Sequence, residues 1–480
     1  MGVPRLPAGR AFRSKSSPLV PRGCGLSTPI PHACVYWLRL KKGLGFIQLP
    51  LSQSWRKIGN MVFMKKSSVI IIGAGAAGLM AAKELCQFFN VTLLEAATQA
   101  GGRIQSLLQD GDIIEAGAEF VHGDLPVTLG LLKEAGLSCI KCEGEMYRKQ
   151  NGRFVEAGEI APGWDALLKR MKNIEEDITL HQLLEKYYPG AANEKFSQQI
   201  KSYAEGFDVA DITKVSVKAL YKEWSAEGKN NYRISKGYGA LVGYLVQQAQ
   251  AAGVVLHTSC PVKNVHWQKG SVTVQVANGE KYHADKLLVT VPISVLQQPG
   301  SSAAIHFTPG IHFNAATANN IGFGTVIKVV VKFKAAFWQR DAGFIFSDEV
   351  FATWWTQLPG DAALLTGWLG GPKAIAFSNQ SDDEISDLAL TSLAAIFDQP
   401  IAMLRQSMAH IFVFNWQKNP YAMGAYSYAT VETEAAKKLM TTPLANTIFF
   451  AGEALYSGNH PGTVEAALVS ALDAVAALNG

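Results

Sequence analysis

The chain has 480 residues, 48% hydrophobic and 17% charged, which is material enough for two cores. No stretch approaches the run of about 18 apolar residues that a membrane-spanning helix needs, so a soluble protein is expected. The net charge of +5 conceals an asymmetry: residues 1–68 carry 12 of the 44 Lys and Arg and no Asp or Glu, leaving 32 basic against 39 acidic residues, a net −7, beyond them. A mildly acidic folded part argues against a nucleic-acid surface, which needs positive charge clustered on the fold itself.

Residues 1–66 read as a leader rich in Pro, Gly, Ser and Arg, with Trp37-Leu38-Arg39-Leu40-Lys41-Lys42 lacking amphipathic order. Three readings stay open: a transit peptide, a disordered tail, or translation from too early a start, which Met61 and Met64 just before the first strand favour. The leader has no signal-peptide core and no twin arginine. The six cysteines, at 24, 34, 86, 139, 142 and 260, are sparse, which suits a reducing, cytoplasmic setting. Cys139-Ile140-Lys141-Cys142 is a C-x-x-C with no second pair or nearby His, so no metal site is expected.

Residues 69–95 carry the most information. Val69-Ile70-Ile71-Ile72 is a β-branched run, Gly73-Ala74-Gly75-Ala76-Ala77-Gly78 fits G-x-G-x-x-G, Leu79–Phe89 reads as helix, and Val91-Thr92-Leu93-Leu94 returns to strand before Glu95. That order is a dinucleotide-binding βαβ unit. Gly73 permits the tight turn, Gly75 lets phosphate approach the backbone, Gly78 lets helix and strand pack, and the helix N-terminus offers N–H groups to the pyrophosphate. Glu95, 17 residues after Gly78, can accept the hydroxyls of the adenosine ribose and would repel a 2′-phosphate, so FAD or NAD is expected over NADP.

Beyond Glu95-Ala96 come Gly101-Gly102-Arg103 and Glu115-Ala116-Gly117-Ala118-Glu119-Phe120-Val121-His122-Gly123. From Pro126 to about Trp224 the pattern is helical, with Leu167, Leu168, Met171, Ile174, Ile178, Leu183 and Leu184 as an apolar stripe. Gly237–Gln250 suggests a glycine-started helix that is no second nucleotide fingerprint, because no strand is read before it. Val262–Trp267, Val272–Val276 and Lys281–Ala284 read as strands, the last two joined by a hairpin at Asn278-Gly279, and Leu287-Leu288-Val289-Thr290-Val291-Pro292 follows. Residues 300–430 mix strands and helices. Within them Gly322–Phe333 reads as one strand with Lys328 on the face of Val326, Val330 and Lys332, and alternation alone makes Lys328 a solvent-facing residue. Trp354, Trp355, Trp368, Trp416, Tyr421 and Tyr426 cluster late in the chain, before Phe449-Phe450-Ala451-Gly452-Glu453 and His460-Pro461-Gly462-Thr463-Val464-Glu465.

Taken together, these motifs resemble the flavin-containing amine oxidases, the family of monoamine oxidases, polyamine oxidases and lysine-specific histone demethylases, over residues 67 to 478. The resemblance implies an α/β fold: a Rossmann-like FAD-binding domain of glutathione-reductase type with amine oxidase topology (67–125, 236–300 and 430–480) and an α+β substrate-binding domain (126–235 and 301–429). It implies that Gly73, Gly75, Ala76, Ala77, Gly78, Glu95, Ala96, Gly102, Arg103, Gly117, Ala118, Glu119, Val262, Gly452, Glu453, Thr463 and Val464 contact FAD. Arg103 would lie against the pyrophosphate as a planar donor. Because Tyr456-Ser457-Gly458-Asn459-His460 offers no cysteine where monoamine oxidases attach the cofactor, the flavin is expected to be noncovalent.

The same resemblance reverses the reading of Lys328, which matches a lysine that holds a water near flavin N5. Trp416 to Tyr426 is similar to the family's Trp-x-x-x-Pro-x-x-x-Gly-x-Tyr-Ser segment, and Trp416, Tyr426 and His460 would wall the substrate, with His460 standing where many relatives carry tyrosine. His122 matches a position that bears His in some polyamine oxidases, either at the pocket rim or in ordinary packing. The implied activity is oxidation of a small-molecule amine to an imine by hydride-equivalent transfer, with O2 as acceptor. A flavin desaturase acting on a carbon–carbon bond, or a non-catalytic flavin-bound scaffold, are the alternatives.

Overall fold

The computed structural model describes residues 66–158, 160–226 and 230–480. The readings of the leader, including Met61, Met64, Cys24 and Cys34, lie outside the described residues, apart from its last residue, Lys66.

The aliphatic run Ser68–Ile72 forms the middle strand of a five-stranded parallel sheet, ordered Val255–His257, Asn90–Leu94, Ser68–Ile72, Lys286–Val289 and Ile448–Phe450. Both faces of such a sheet are covered, which is why these strands are continuously apolar rather than alternating. One face packs on the helices Ala76–Leu85, Tyr238–Ala251 and Val464–Asn479 through Leu79, Leu85, Leu245 and Leu468. The other packs on a four-stranded sheet in which the expected strands Val262–Gln268, Ser271–Val276 and Lys281–Ala284 are joined by His306–Thr308. The chain turns at Asn278-Gly279, where Gly279 takes a φ of +91°.

The first helix begins at Ala76 and ends at Leu85, not at Leu79 and Phe89. Gly75 is its extended N-cap (φ −76°, ψ −174°), so Ala76 and Ala77 already belong to the first turn, whose N–H groups have no intrahelical partner. Gly73 sits at φ +101°, which an L side chain rarely adopts, and a Cβ on Gly78 would lie 1.8 Å from the Gly73 carbonyl oxygen.

Two further expectations are corrected. The stretch from Pro126 to Trp224 is not uniformly helical: after the helix Pro126–Glu134 come strands Cys139–Lys141, Glu145–Gln150 and Arg153–Glu156, and only then the helices Trp164–Lys172, Leu180–Tyr187, Glu194–Gly206 and Val217–Ala226. The last two strands are joined by Asn151-Gly152 with φ of +50° and +75°, a two-residue hairpin turn. The apolar stripe is real but divided between two of the helices, where Leu167, Met171, Leu183 and Leu184 are buried in one cluster. A strand, Asn231–Ile234, does precede Gly237, but it pairs with Phe120–His122 and Cys139–Lys141 outside the parallel sheet. The N-terminus of the Tyr238–Ala251 helix is occupied by protein: Glu115 Oε1 accepts from Tyr238 N at 2.6 Å and Ser106 Oγ from Gly239 N at 2.8 Å.

The second large sheet has seven strands, ordered Met408–Asn415, Val326–Phe333, Leu364–Gly370, Thr353–Trp355, Ala342–Phe346, Glu145–Gln150 and Arg153–Glu156. The expected single strand Gly322–Phe333 is broken in two, because Gly324 closes against Val209: a Cβ there would be 2.3 Å from the Val209 carbonyl oxygen. Ile321–Phe323 pairs with Ser427–Ala429, while Val326–Phe333 lies between two antiparallel neighbours. Both faces of that strand are covered, so Lys328, only 1% exposed, is not the solvent-facing residue that alternation suggests. Among the described residues no single helix is long and apolar enough to cross a membrane.

Candidate active site

A cavity of about 950 Å³ is lined from the Gly73–Ala77 turn at one end to aromatic residues of the seven-stranded sheet at the other. Every expected site residue except Gly78 lines it. Gly78 instead packs under the turn, where a Cβ would collide with the Gly73 carbonyl oxygen.

The turn end suits a dinucleotide. A Cβ placed on Gly75 would meet no atom within 4 Å, so this glycine faces open space at a helix N-terminus. Glu95, at the end of the second parallel strand, is oriented by Ala74 N (2.6 Å to Oε2) and Ala97 N (2.8 Å to Oε1), which leaves each oxygen a lone pair for a hydroxyl. Burial raises its carboxyl above the ordinary range, opposed by hydrogen bonds from Ala97, Ala74 and Ala96. Gly102 lies close to Gly75, with a built Cβ 3.4 Å from the Gly75 Cα. Arg103 Nη1 donates to the Ala425 carbonyl oxygen at 2.6 Å and to Glu453 Oε1 at 2.8 Å, while Glu453 Oε2 accepts from Ser427 Oγ at 2.7 Å. Among the described residues the Nε and Nη2 of Arg103 take no protein acceptor, so most of its donor fork is available to a phosphate. Thr463 caps the last helix, accepting from Ala466 N, and Val464 opens it. These features fit an adenine dinucleotide.

The opposite end is aromatic and holds a buried charge cluster. Lys328 Nζ donates to Glu119 Oε2 at 2.7 Å and to the Gly117 carbonyl oxygen at 3.2 Å, and sits 5.5 Å from the centroid of Trp355. Glu119 Oε1 accepts from Arg233 Nε and from Trp355 Nε1, each at 2.9 Å. Glu119, expected as a cofactor contact, lines the cavity with both carboxylate oxygens engaged by protein donors. Burial pushes its carboxyl up, yet the Lys328 and Arg233 charges and its hydrogen bonds outweigh this and hold it at about 2.

His122 Nδ1 lies 2.9 Å from Asn231 Oδ1. An amide oxygen can only accept, so the neutral ring carries its proton on Nδ1 and Nε2 keeps a lone pair. Desolvation lowers this imidazole below its usual range, against the Asn231 hydrogen bond, and nearby His460 lowers it further. Tyr426 donates to the Phe207 carbonyl oxygen at 2.5 Å and stacks on Trp368 with centroids 6.5 Å apart. Trp416 is buried and donates Nε1 to the Ala116 carbonyl oxygen at 2.9 Å, which makes it a wall that also ties the Glu115–Glu119 turn.

Sequence reasoning missed Arg233 and Asn231, on a short strand with no motif. It named Trp355 but left it outside the site. Trp354 and Trp355 are both buried, yet adjacent strand positions face opposite ways, so Trp354 fills the core while Trp355 lines the cavity.

A parallel sheet whose first turn opens onto a cavity shared with a second, mostly antiparallel sheet makes a two-part fold with a nucleotide-binding turn facing that cavity. The sequence pattern of the flavin containing amine oxidoreductases matches residues 76–479, and the chain belongs to that family, which makes its cofactor a flavin. It is 27% identical over 442 residues to the human Lysine-specific histone demethylase 2, covering 84% of this chain and 52% of that protein, so this chain spans about half the length of that relative. It is 26% identical over 484 residues to the human Peroxisomal N(1)-acetyl-spermine/spermidine oxidase, covering 82% of this chain and 92% of that one. In fold it is similar to a putrescine oxidase structure bound to putrescine, with a TM-score of 0.72 at 20% identity over 85% of this chain and 98% of that one.

Proposed function

We propose that this protein is an FAD-dependent oxidase of small-molecule amines, holding its flavin noncovalently and working in the cytoplasm. The carbon next to an uncharged amine nitrogen loses a hydride equivalent, and water hydrolyses the resulting imine to a carbonyl compound and ammonia or a shorter amine. Bound FAD supplies the hydride acceptor and passes the electrons to O2, giving H2O2.

The residues divide the work by position. Gly75, Glu95 and Arg103 hold the diphosphate and ribose. Trp355, Trp368, Phe120 and Tyr426 exclude water and orient the amine against their ring faces. His122 Nε2 accepts a hydrogen bond from the substrate nitrogen. Lys328 holds a water for the imine and keeps positive charge where negative charge develops on reaction with oxygen.

The observation that supports this reading best is the fully buried lysine on the cavity wall, with two of its three donors fixed by protein. Lys328→Met should slow reoxidation of the reduced flavin by on the order of 10²-fold, the scale seen when a preorganised donor is removed. An unchanged rate contradicts the role. Aldehyde and peroxide formation from an amine panel supports oxidation at C–N. Flavin reduction only by substrates that lose hydrogen across a carbon–carbon bond supports the desaturase alternative.

A further inference from the structure

Glu119 occupies an unusual place. It lies between the strands Asp112–Glu115 and Phe120–His122, and three donors from three other strands converge on it: Lys328, Arg233 and Trp355. Arg233 is itself held, with Nη2 on the Thr356 carbonyl oxygen at 2.8 Å, Nη1 on the Leu358 carbonyl oxygen at 3.2 Å, and its guanidinium 4.7 Å from the Phe120 centroid. The carboxylate is therefore fixed from the side away from Lys328, and the lysine is the one long flexible side chain that must find it. A tetrahedral ammonium with two N–H groups directed at Glu119 Oε2 and the Gly117 carbonyl oxygen has the direction of its third determined.

We infer that Glu119 is a positioning residue: clamped by Arg233 and Trp355, it aims the remaining N–H of Lys328 at the reacting atoms. This rests on the role of Lys328 given above. Without Glu119 the buried ammonium and guanidinium would lose the carboxylate that each is hydrogen-bonded to and would repel each other. The carboxyl is held at about 2, so the clamp is ionised throughout the neutral range.

Acetate rescue tests the inference. Glu119→Ala removes the carboxylate and leaves room for an acetate ion between the three donors. Turnover should fall by on the order of 10²-fold, the effect of roughly a 1 Å misplacement, and added acetate should recover about tenfold of it. A second readout needs no flavin: acetate should raise the melting temperature of flavin-free Glu119→Ala, leave the wild type unmoved, and act more weakly on Glu119→Ala/Lys328→Met. Glu119→Gln, which keeps an acceptor oxygen and removes the charge, should lose about tenfold in kcat with flavin affinity unchanged, and it carries the test if the alanine variant does not fold.

Wild-type turnover in either Glu119 variant, with Lys328→Met slow, overturns the positioning role while the role of Lys328 stands. An equal acetate shift in wild type and variant also overturns it. Lys328→Met at the wild-type rate overturns the reading beneath it, and this inference with it.

Discussion

Two glycines three residues apart separate a ligand-facing position from a structural one. In the flavin-free protein Gly75→Ala adds a methyl group that meets nothing within 4 Å, at a backbone conformation (φ −76°, ψ −174°) that alanine adopts freely. Reduced freedom of the unfolded chain stabilises by about 0.4–1 kcal/mol, and the poorer N-cap residue costs a similar amount, so stability should stay within about 1 kcal/mol of wild type. The methyl projects into the cavity at the helix N-terminus, where a phosphate must come within hydrogen-bonding distance of the backbone. Loss of one charge-assisted hydrogen bond, about 1.5–3 kcal/mol, weakens FAD binding roughly tenfold to hundredfold. Gly78→Ala behaves oppositely: its Cβ would stand 1.8 Å from the Gly73 carbonyl oxygen and 2.8 Å from Thr290 Oγ1, both fixed, and the protein should lose about 3 kcal/mol or more with or without flavin. Thermal scans of the flavin-free proteins and fluorescence titration with FAD measure both quantities. A Gly75→Ala protein of normal stability that binds FAD with wild-type affinity refutes the placement of the diphosphate across this turn.

Three other outcomes follow from buried polar groups. Burial raises the Glu115 carboxyl to about 7, against the pull of Ser106, Tyr238 N and Lys328, so between the ordinary 4.5 and 7 the folded protein keeps a proton that the unfolded chain releases. Its contribution is complete below pH 4.5 and is lost as pH rises to 7, and the stability of wild type relative to Glu115→Gln should fall by about 3 kcal/mol over that window. A constant difference in denaturant titrations contradicts it. Glu465 accepts from Val127 N at 3.0 Å and from Thr128 N and Oγ1 at 2.7 Å, capping the Pro126–Glu134 helix from a distance. Glu465→Ala should cost about 2–4 kcal/mol in unfolding free energy, with Glu465→Gln intermediate, and equal small losses would show the cap to be unimportant. Asn231→Asp places a carboxylate on His122 Nδ1 and should raise that imidazole's pKa, so KM for an amine should climb more steeply on acidification in the variant than in the wild type, where only protonation of the substrate contributes, and parallel KM–pH profiles would contradict the assignment.

The βαβ unit was legible because its signals are local: an aliphatic run, glycines at fixed spacing and a carboxylate at the next strand end all fall within residues 69–95. The meander after Val262 was legible for the same reason. The helical reading of 126–224 failed at Glu145–Glu156, where a short hairpin between polar segments leaves little alternation, although Asn151-Gly152 carried the turn signal. Lys328 defeats alternation outright, since a central strand covered on both faces gives period two no solvent side to mark. The charge cluster was the least legible part. Glu119, Arg233, Trp355 and Lys328 are brought together only by the packing of three strands against the connection that carries Glu119, and nothing in the short stretch Asn231-Tyr232-Arg233-Ile234 announces a buried guanidinium.

An anaerobic titration of the purified protein with monoamines, polyamines and amino acids, followed by the flavin absorbance, tests the central claim most directly. At least one amine should bleach the yellow chromophore stoichiometrically, with the colour returning and peroxide forming when air is admitted. A protein that carries no flavin, or a flavin that no amine reduces, contradicts amine oxidation by this chain.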